Sequence, residues 1–519
     1  MRKITLRLLP TLLLVISQAL CAPAQGLRVM KGNCTPGIVT DGEPTRGLVQ
    51  LQQSNLRIPD NNWDHNKTYR QLVILVGFSD TGFSQKDAAR YYDRMFNEPG
   101  YNEGAGRSCV ADYFREQSGG LFNLQFDIYG PYQTAGKAQP YNYPSSVTAN
   151  YGENVMREAT LQMVAQNPGL DYKQYDWNGD GKVDQVLYIY AGIGGNQGEG
   201  SYGHIWPNTW SFNAVTTPDG TTIQSYSCSA ELWTTGTSCG IGTICHEFSH
   251  CLGLPDIYPT SGTSGYFSVA DEWDLMDGGN LTNWGWCPPN YTPLEKMLMG
   301  WLTPVELTGP TTIDGLKAAA EGGETYLVRH AGNEYLLLEN RQWTGWDTGL
   351  PGRGLVIYHV DYDKTIWANN LVNTTKGRFR FDLVHADNLD YEQWDNIQPR
   401  NDDQYADVAQ MMHNKHLSTS AYPWQTNNAM TDSSVPAAVM YNENAQGSRL
   451  LSKAITNIQM SDDGLVSFDF MGGSPAGIST PRQSTTGDST VVCNIMGQRV
   501  MTPQKGLFIK NGKKYIKHF

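Results

Sequence analysis

The segment 246–256, with the sequence His-Glu-Phe-Ser-His-Cys-Leu-Gly-Leu-Pro-Asp, constrains this chain more than any other feature. His246 and His250 are four residues apart, so on a helix both imidazoles lie on the same face. Glu247 is next to this face, where its carboxylate can reach a water molecule held between the two rings. Zinc in catalytic sites takes nitrogen and oxygen ligands and keeps one position open. The pattern predicts a zinc site that hydrolyses peptide bonds.

The residues around the histidines predict where this helix lies and where it ends. Apolar side chains recur three and four residues apart between Ile241 and Leu252, which indicates a helix with one apolar face and the histidines on the other. Gly253 follows at the point where helices commonly end in a left-handed residue, and Pro255 prevents the helix from continuing. The chain is therefore expected to turn at Gly253.

This turn would bring Asp256 back toward the metal, and we predict Asp256 as the third zinc ligand. Glu272 is the alternative, because it lies 22 residues after His250 and some zinc peptidases take their third ligand from a glutamate on a following helix. The early glycine turn favours the short connection through Asp256.

Met276, 26 residues after His250, precedes Asp277-Gly278-Gly279. A tight turn carrying a methionine lies beneath the zinc in metzincins, so Met276 is predicted to form such a turn, the alternative being an ordinary core methionine. Tyr258 and Tyr266 are both candidates for stabilising a developing oxyanion, and the sequence does not choose between them.

A second candidate cation site is the segment 176–184, Asp-Trp-Asn-Gly-Asp-Gly-Lys-Val-Asp. It matches the first nine positions of an EF-hand calcium loop, with Gly181 at the sharp turn. Position twelve is Leu187 instead of a bidentate glutamate, so the loop is not a complete EF-hand and any missing ligand comes from elsewhere. The alternative is a solvated turn before a strand. The predicted calcium ligands are oxygen donors: the side chains of Asp176, Asn178, Asp180 and Asp184 and the carbonyl of Lys182.

The N-terminus predicts export. Basic residues at the start precede an apolar stretch too short to span a bilayer, and Ala22 and Ala24 provide the small residues of a cleavage site. No later segment is apolar enough to be transmembrane. The formal net charge of −13 and the sequence pI of about 5.2 argue against nucleic acid as a partner. Cys34, in the segment that follows, is either a latch thiolate for the open zinc position or an ordinary free or disulfide-bonded cysteine.

Composition and periodicity divide the 519 residues into successive regions. Strands and helices interleave up to about residue 303, and short strands separated by turns follow. We predict an α+β fold in which a β-sandwich-like domain and a short C-terminal tail of two strands follow the catalytic domain. The predicted regions are a signal peptide (1–24), a pro-segment or linker (25–65), a zinc metallopeptidase catalytic domain (66–305), a β-rich domain (306–473), a linker (474–490) and a sorting-type tail (491–519).

Several of these stretches together resemble the immune inhibitor A family of secreted bacterial metallopeptidases, peptidase family M six. The similar stretches are 111–118, 176–184, 246–256, 295–304 and 334–361. The resemblance implies a metzincin-like catalytic domain, zinc ligands at His246, His250 and Asp256, and Glu247 as the general base. The segment before the catalytic domain is shorter than is typical of the family. The tail is similar to the sorting domain of type IX secretion systems, which implies secretion machinery as a partner.

The expected function is that of a secreted or cell-surface zinc endopeptidase. Metal-activated water would attack peptide bonds of extracellular proteins, with Glu247 taking the proton. Zinc is the expected cofactor, with calcium as a second cation. A non-catalytic surface adhesin with a structural metal site is the alternative from another class, and a zinc hydrolase of non-peptide amides is the third. An intact Glu247 favours an enzyme over the adhesin, because a structural zinc has no need of a base.

Overall fold

The computed structural model describes residues 64–140, 149–196, 203–234, 236–260, 268–375, 377–389 and 417–473, together with three strands between 492 and 517. The chain divides into two compact units, Met1–Gly473 and Ser474–Phe519. The predicted signal peptide, almost all of the predicted pro-segment with Cys34, and the predicted linker 474–490 lie outside the described residues.

The first part of Met1–Gly473 is built on a six-stranded mixed sheet with strand order β2-β1-β3-β5-β4, in which β6 pairs with β5. Strands β1, β2, β3 and β5 pair in parallel, whereas β4 is antiparallel to β5. The elements in chain order are β1 (Thr68–Gly77), α1 (Ala88–Asn97), α2 (Val110–Gln117), β2 (Asn123–Gln133), α3 (Ala149–Gln166), β3 (Val186–Ile193), β4 (Asn208–Thr216), β5 (Thr222–Thr234), β6 (Thr237–Ser238), α4 (Gly242–Cys251) and α5 (Pro293–Leu298).

Strand β1 lies inside this sheet and is covered on both faces. Val73 and Leu75 pack into a core with helices α1, α2 and α4, whereas Leu72, Ile74 and Val76 pack into a second core with α3. Successive strand residues point to opposite faces, so a strand covered on both sides needs a continuous apolar run. This explains why the run 72–76 is uninterrupted, and it places α4 on the face opposite α3.

The second part of the same unit contains two further sheets. One has five strands in the order β12-β11-β10-β9-β7, and the other has three in the order β13-β14-β8. The elements are β7 (Val305–Glu306), β8 (Thr311–Leu316), β9 (Tyr326–Ala331), β10 (Glu334–Arg341), β11 (Gly354–Asp361), α6 (Lys364–Ala368), β12 (Phe381–Leu383), β13 (Ile455–Met460) and β14 (Val466–Phe470). Short 3₁₀ turns lie at Glu103–Ala105, Tyr172–Tyr175, Asp271–Trp273, Gly279–Gly285, Ala319–Glu321 and Gly345–Gly349.

The centre of the five-stranded sheet is buried on both faces. From β10, Leu337 packs into the core that contains α4, whereas Leu336 and Leu338 pack against the three-stranded sheet. Every residue of β10 is buried. The sheet therefore joins the core around the histidine helix to the small sheet on its other side, and it brings residues after 305 close to the predicted metal site.

The structure confirms a mixture of helices and strands, while the metzincin-like and β-sandwich assignments stay predictions. The strands β4 and β5 were missed by sequence analysis, although Trp210 and Phe212 alternate with polar residues as in a half-buried strand. The tail has three strands instead of two: β15 (Val492–Asn494), β16 (Gly506–Lys510) and β17 (Lys513–Lys517). The intervening Asn511-Gly512 is a strong hairpin signal that the prediction of two strands overlooked.

None of the described helices is long and apolar enough to cross a bilayer.

Candidate metal centre

Helix α4 carries both motif histidines, and all ten of its residues are buried. The residues predicted for the apolar face, among them Ile244, Phe248 and Leu252, lie in the hydrophobic core around this helix, and the two histidines are buried as well. Phe248 packs edge-on against Phe114 at a ring distance of 5.1 Å. At Gly242 a side chain is impossible, since a Cβ there would lie 2.0 Å from the carbonyl oxygen of Asn280. The helix is thus fixed at its first residue.

The end of α4 at Gly253 follows the predicted pattern. Gly253 has a φ of 96°, in the region that disfavours residues with a Cβ. Its N–H donates to His250 O at 2.9 Å, and Leu254 N–H donates to Ser249 O at 3.1 Å. This pair of bonds is the Schellman arrangement, which satisfies the last carbonyls of a helix. It reverses the chain so that residues 254–256 return past the histidines.

Both imidazoles are held through their Nδ1 atoms. His246 Nδ1 lies 2.8 Å from Leu275 O, and His250 Nδ1 lies 2.8 Å from Leu254 O. A carbonyl oxygen only accepts, so each Nδ1 carries the hydrogen and each Nε2 keeps its lone pair. Histidine ligands of metals are usually oriented in this way by a partner on the other nitrogen.

The two Nε2 atoms meet one oxygen of Asp256. Asp256 Oδ1 lies 3.3 Å from His246 Nε2 and 3.2 Å from His250 Nε2. All three side chains are buried, and their donor atoms lie within 4.8 Å of one another. Within the described part of the chain this oxygen accepts no hydrogen bond of regular geometry. A buried carboxylate oxygen without such a bond is costly, and a cation bound between the three groups would remove that cost.

The ionisation of Asp256 and the ionisation of the two histidines depend on one another. Burial opposes ionisation of Asp256, but the adjacent imidazoles of His250 and His246 outweigh burial and hold its pKa well below the usual value. Burial also lowers the pKa of His250, yet the Asp256 carboxylate reverses this and raises it overall. The buried carboxylate therefore favours positive charge at this cluster, which a divalent cation would supply.

The other oxygen of Asp256 is bound by a residue from the second part of the unit. Asn370 Nδ2 donates to Asp256 Oδ2 at 2.8 Å, and Asp256 N–H donates to Asn370 Oδ1 at 2.7 Å. Asp256 is thus oriented by a matched pair of hydrogen bonds. Glu272, the alternative third ligand, is not part of the close group of donor atoms that the described residues form.

Glu247 is completely buried, and its carboxylate is held by the edge strand β4. The Thr209 hydroxyl lies 2.9 Å from Glu247 Oε2 and 3.0 Å from the Glu247 carbonyl oxygen. As a donor to the carboxylate, this hydroxyl would stabilise its charged form. Thr209 therefore positions the predicted general base from the neighbouring sheet.

Met276 is fully buried in the core that contains α4. Its carbonyl oxygen accepts from Ile257 N–H at 2.9 Å, and the preceding residue, Leu275, provides the carbonyl for His246. The turn around Met276 thus holds both His246 and the segment that carries Asp256 by main-chain carbonyl hydrogen bonds. The Tyr258 ring lies nearly parallel to the His246 ring, with centroids 6.5 Å apart, whereas Tyr266 is outside the described residues.

The predicted calcium loop is a compact turn before β3. Asp176 Oδ1 accepts from the N–H groups of Gly179 and Asp180, and Asp180 Oδ1 accepts from Lys182 N–H. Asp184 accepts from Trp177 N–H and from Asn178 Nδ2. The backbone at Gly181 has a φ of 83°, as the sharp turn requires.

These loop carboxylates do not form a close group of the kind seen at His246, His250 and Asp256, within the described residues. Burial, reinforced by the charges of Asp176 and Asp180, raises the pKa of Asp184 to about 7. The loop as described is therefore stabilised by its own N–H groups.

Two residues at the metal centre were missed by sequence analysis. Thr209 lies on a strand that was not predicted, and Asn370 lies 114 residues after its partner Asp256 in a region expected to be a separate domain. Neither belongs to a recognisable motif, so only the packing of distant segments could reveal them.

Comparison with known proteins identifies relatives of the first part of the chain. Residues 55–290 match the sequence model of the immune inhibitor A peptidase M6 catalytic domain. Immune inhibitor A of Bacillus thuringiensis subsp. alesti is 26% identical over 43% of this chain and 38% of its own length. The pre-pro-metalloprotease PrtV of Vibrio cholerae serotype O1 (strain M66-2) is 25% identical over 43% of this chain and 26% of its own length.

The matched part thus spans well under half of either relative. The match to the family model, residues 55–290, contains His246, Glu247, His250 and Asp256 and ends before Asn370. The comparisons therefore support a metallopeptidase domain in the first part of the chain.

Proposed function

We propose that the chain is a zinc-dependent endopeptidase that hydrolyses peptide bonds of extracellular proteins. The observation that carries the proposal is the meeting of two imidazole Nε2 atoms with one carboxylate oxygen in a buried cluster, next to a buried glutamate in the sequence. Two nitrogens and one oxygen are the donor set of a catalytic zinc site that leaves one position open. The match to the peptidase M6 catalytic domain supports the same reaction class.

His246, His250 and Asp256 would hold the zinc. Zinc in such a site polarises a carbonyl group and lowers the pKa of water to about 7. The Nδ1–H bonds to Leu275 O and Leu254 O keep both imidazoles in the tautomer that a ligand needs. The residues present therefore fit a zinc ion.

Glu247 is the proposed general base and then the general acid. Its carboxylate takes a proton from the attacking water and passes it to the leaving amine, so the peptide C–N bond breaks while a C–O bond forms. The hydroxyl of Thr209 holds Oε2 and leaves the other oxygen to handle the proton. Burial of the site strengthens each of these electrostatic interactions.

The organisation of the whole chain is also proposed. The region 1–24 is proposed as a signal peptide, 25–65 as a pro-segment or linker, and 491–519 as a tail recognised by secretion machinery. Calcium is proposed for the loop 176–184. Burial first, and then the charges of Asp176 and Asp180, raise the pKa of Asp184 to about 7, and a bound cation would favour its charged form.

The test is hydrolysis of casein by the purified full chain, with metal content measured on the same sample. We expect about one zinc per chain, loss of hydrolysis with a zinc chelator, and recovery when zinc is returned. Active protein without a transition metal, or hydrolysis that survives chelation, would overturn the proposal. Zinc without hydrolysis of any peptide would instead favour the adhesin with a structural metal.

A further inference from the structure

We infer that Asn370 is a positioning residue for the metal centre, so that the part of the chain after residue 305 completes the site. This inference rests on the proposed function. Asn370 is buried and follows the short helix α6, in the region assigned by sequence to a separate β-rich domain. Both of the described hydrogen bonds that orient Asp256 are made with this one side chain.

The geometry of the pair fixes the direction of the carboxylate. The Asn370 amide donates to Asp256 Oδ2 and accepts from Asp256 N–H, at 2.8 and 2.7 Å. With Oδ2 and the main chain both held, Oδ1 is left to face the two imidazole Nε2 atoms. A ligand carboxylate that is held in this way loses little freedom when it binds a metal.

Asn370 is itself held firmly. Its carbonyl oxygen accepts from the Thr260 hydroxyl at 2.6 Å, and its backbone φ of 54° is one that asparagine tolerates better than most residues. Three residues later, Asn373 Nδ2 donates to Ile257 O and to Phe381 O, both at 2.8 Å. Hydrogen bonds from the turn 370–373 therefore hold the segment Asp256–Thr260 next to the five-stranded sheet.

Asn373 offers a matched control. It is buried, has a φ of 61°, and loses a hydrogen bond to Ile257 of the same segment when it is truncated, while its other described side-chain hydrogen bonds go to Arg380 and Phe381 and not to a metal ligand. Asn370→Gly and Asn373→Gly both keep the left-handed backbone accessible. Each variant removes the side-chain hydrogen bonding of one asparagine to the segment Asp256–Thr260. A purely structural role predicts the same effect from both.

The experiment measures zinc affinity by competition with a chromogenic chelator and records the absorption spectrum of the cobalt-substituted full chain. We expect Asn370→Gly to weaken zinc binding about tenfold or more and to change the cobalt spectrum. Asn373→Gly should lower the unfolding temperature while leaving zinc affinity within about twofold of wild type. Equal zinc affinities in the two variants would overturn the inference.

A second variant tests the inference in case Asn370→Gly does not fold. Asn370→Asp keeps the acceptor for Asp256 N–H and replaces the donor with an oxygen that repels Asp256 Oδ2. Because Oδ2 then lacks its donor, the cobalt spectrum of this variant should differ from that of wild type. A folded variant with the wild-type cobalt spectrum would contradict the inference. Wild-type protein that binds no zinc would overturn the proposed function as well.

Discussion

The His246–His250–Asp256 cluster and the acidic loop 176–184 both carry the residue types of a cation site, yet they are built differently. In the cluster, the ligand atoms face one another, and among the described residues hydrogen bonds from the surroundings hold His246 Nδ1 and Asp256 Oδ2, which point away. In the loop, the carboxylates of Asp176 and Asp180 accept hydrogen bonds from the N–H groups of the loop itself.

The difference shows how a preformed site can be recognised. A site held by its surroundings keeps its donor atoms available for a ligand. The free-energy cost of burying these unpaired polar atoms is offset by the packing and hydrogen bonds of the rest of the fold. A loop held by its own backbone is stable without a ligand, and a cation has to compete with those N–H groups. Four experiments test this distinction, and they are ordered by the expected effect on peptide hydrolysis.

Removing a ligand should have the largest effect. His250→Ala leaves two donor groups and an opening in the buried cluster, so we expect loss of bound zinc and a fall of hydrolysis to the level of chelated wild-type protein. Metal analysis and casein hydrolysis on the same preparation check this. A variant that keeps both stoichiometric zinc and activity would show that the cluster is not the catalytic centre.

Removing the base should leave the metal in place. Glu247→Gln keeps the shape of the side chain and a partner for Thr209, but it cannot take a proton from water. We expect zinc content close to one per chain and a decrease in kcat of about 10²- to 10⁴-fold. Near-normal turnover would contradict the role proposed for Glu247.

Removing the support of the base should have a smaller effect. Thr209→Val deletes a hydrogen bond to a charged group, and we expect kcat to fall about tenfold with little change in KM. Zinc affinity should stay at the wild-type value, because both described hydrogen bonds of the Thr209 hydroxyl go to Glu247 and not to a proposed ligand. An effect confined to KM would place Thr209 in substrate binding instead.

A change in the acidic loop should affect stability and leave hydrolysis nearly unchanged. The buried Asp184 has a pKa of about 7, above its value in an unfolded chain, so it keeps its proton in the folded state at mildly acidic pH. Its contribution to the free energy of unfolding is therefore present below about pH 4 and is lost as the pH rises to about 7. Across that interval the contribution falls by up to about 4 kcal/mol.

Asp184→Asn cannot titrate and should lack this dependence, with casein hydrolysis at saturating zinc within about twofold of wild type. Denaturation at several pH values measures the difference between the two proteins. If the loop binds calcium, added calcium should reduce the pH dependence of the free energy of unfolding of the wild-type protein. Identical curves for the two proteins would show that Asp184 is not the group responsible.

Much of the site could be predicted because it is encoded locally. The helix, its end at Gly253 and the return to Asp256 depend on contacts between residues at most ten apart, which propensity and spacing describe. The interleaving of strands and helices up to about residue 303 was predicted for the same reason. The tail hairpin was also local, but its Asn511-Gly512 signal was overlooked.

Long-range packing could not be read in this way. The burial of every side of α4, the hydroxyl of Thr209 and the amide of Asn370 depend on segments that are distant in sequence. A polar residue in an irregular turn resembles any surface residue until its partner is known. For that reason Asn370 carried no signal in the sequence.

By itself, the sequence determined which atoms could bind a metal and which direction the chain takes after the helix, because helix periodicity and the freedom of glycine act over a few residues. The tertiary structure decided that Asp256 and not Glu272 lies with the two imidazoles, and that the β-rich part of the chain holds it there. Hydrogen bonds between distant segments exist only once the sheets have packed, so no local pattern contains them.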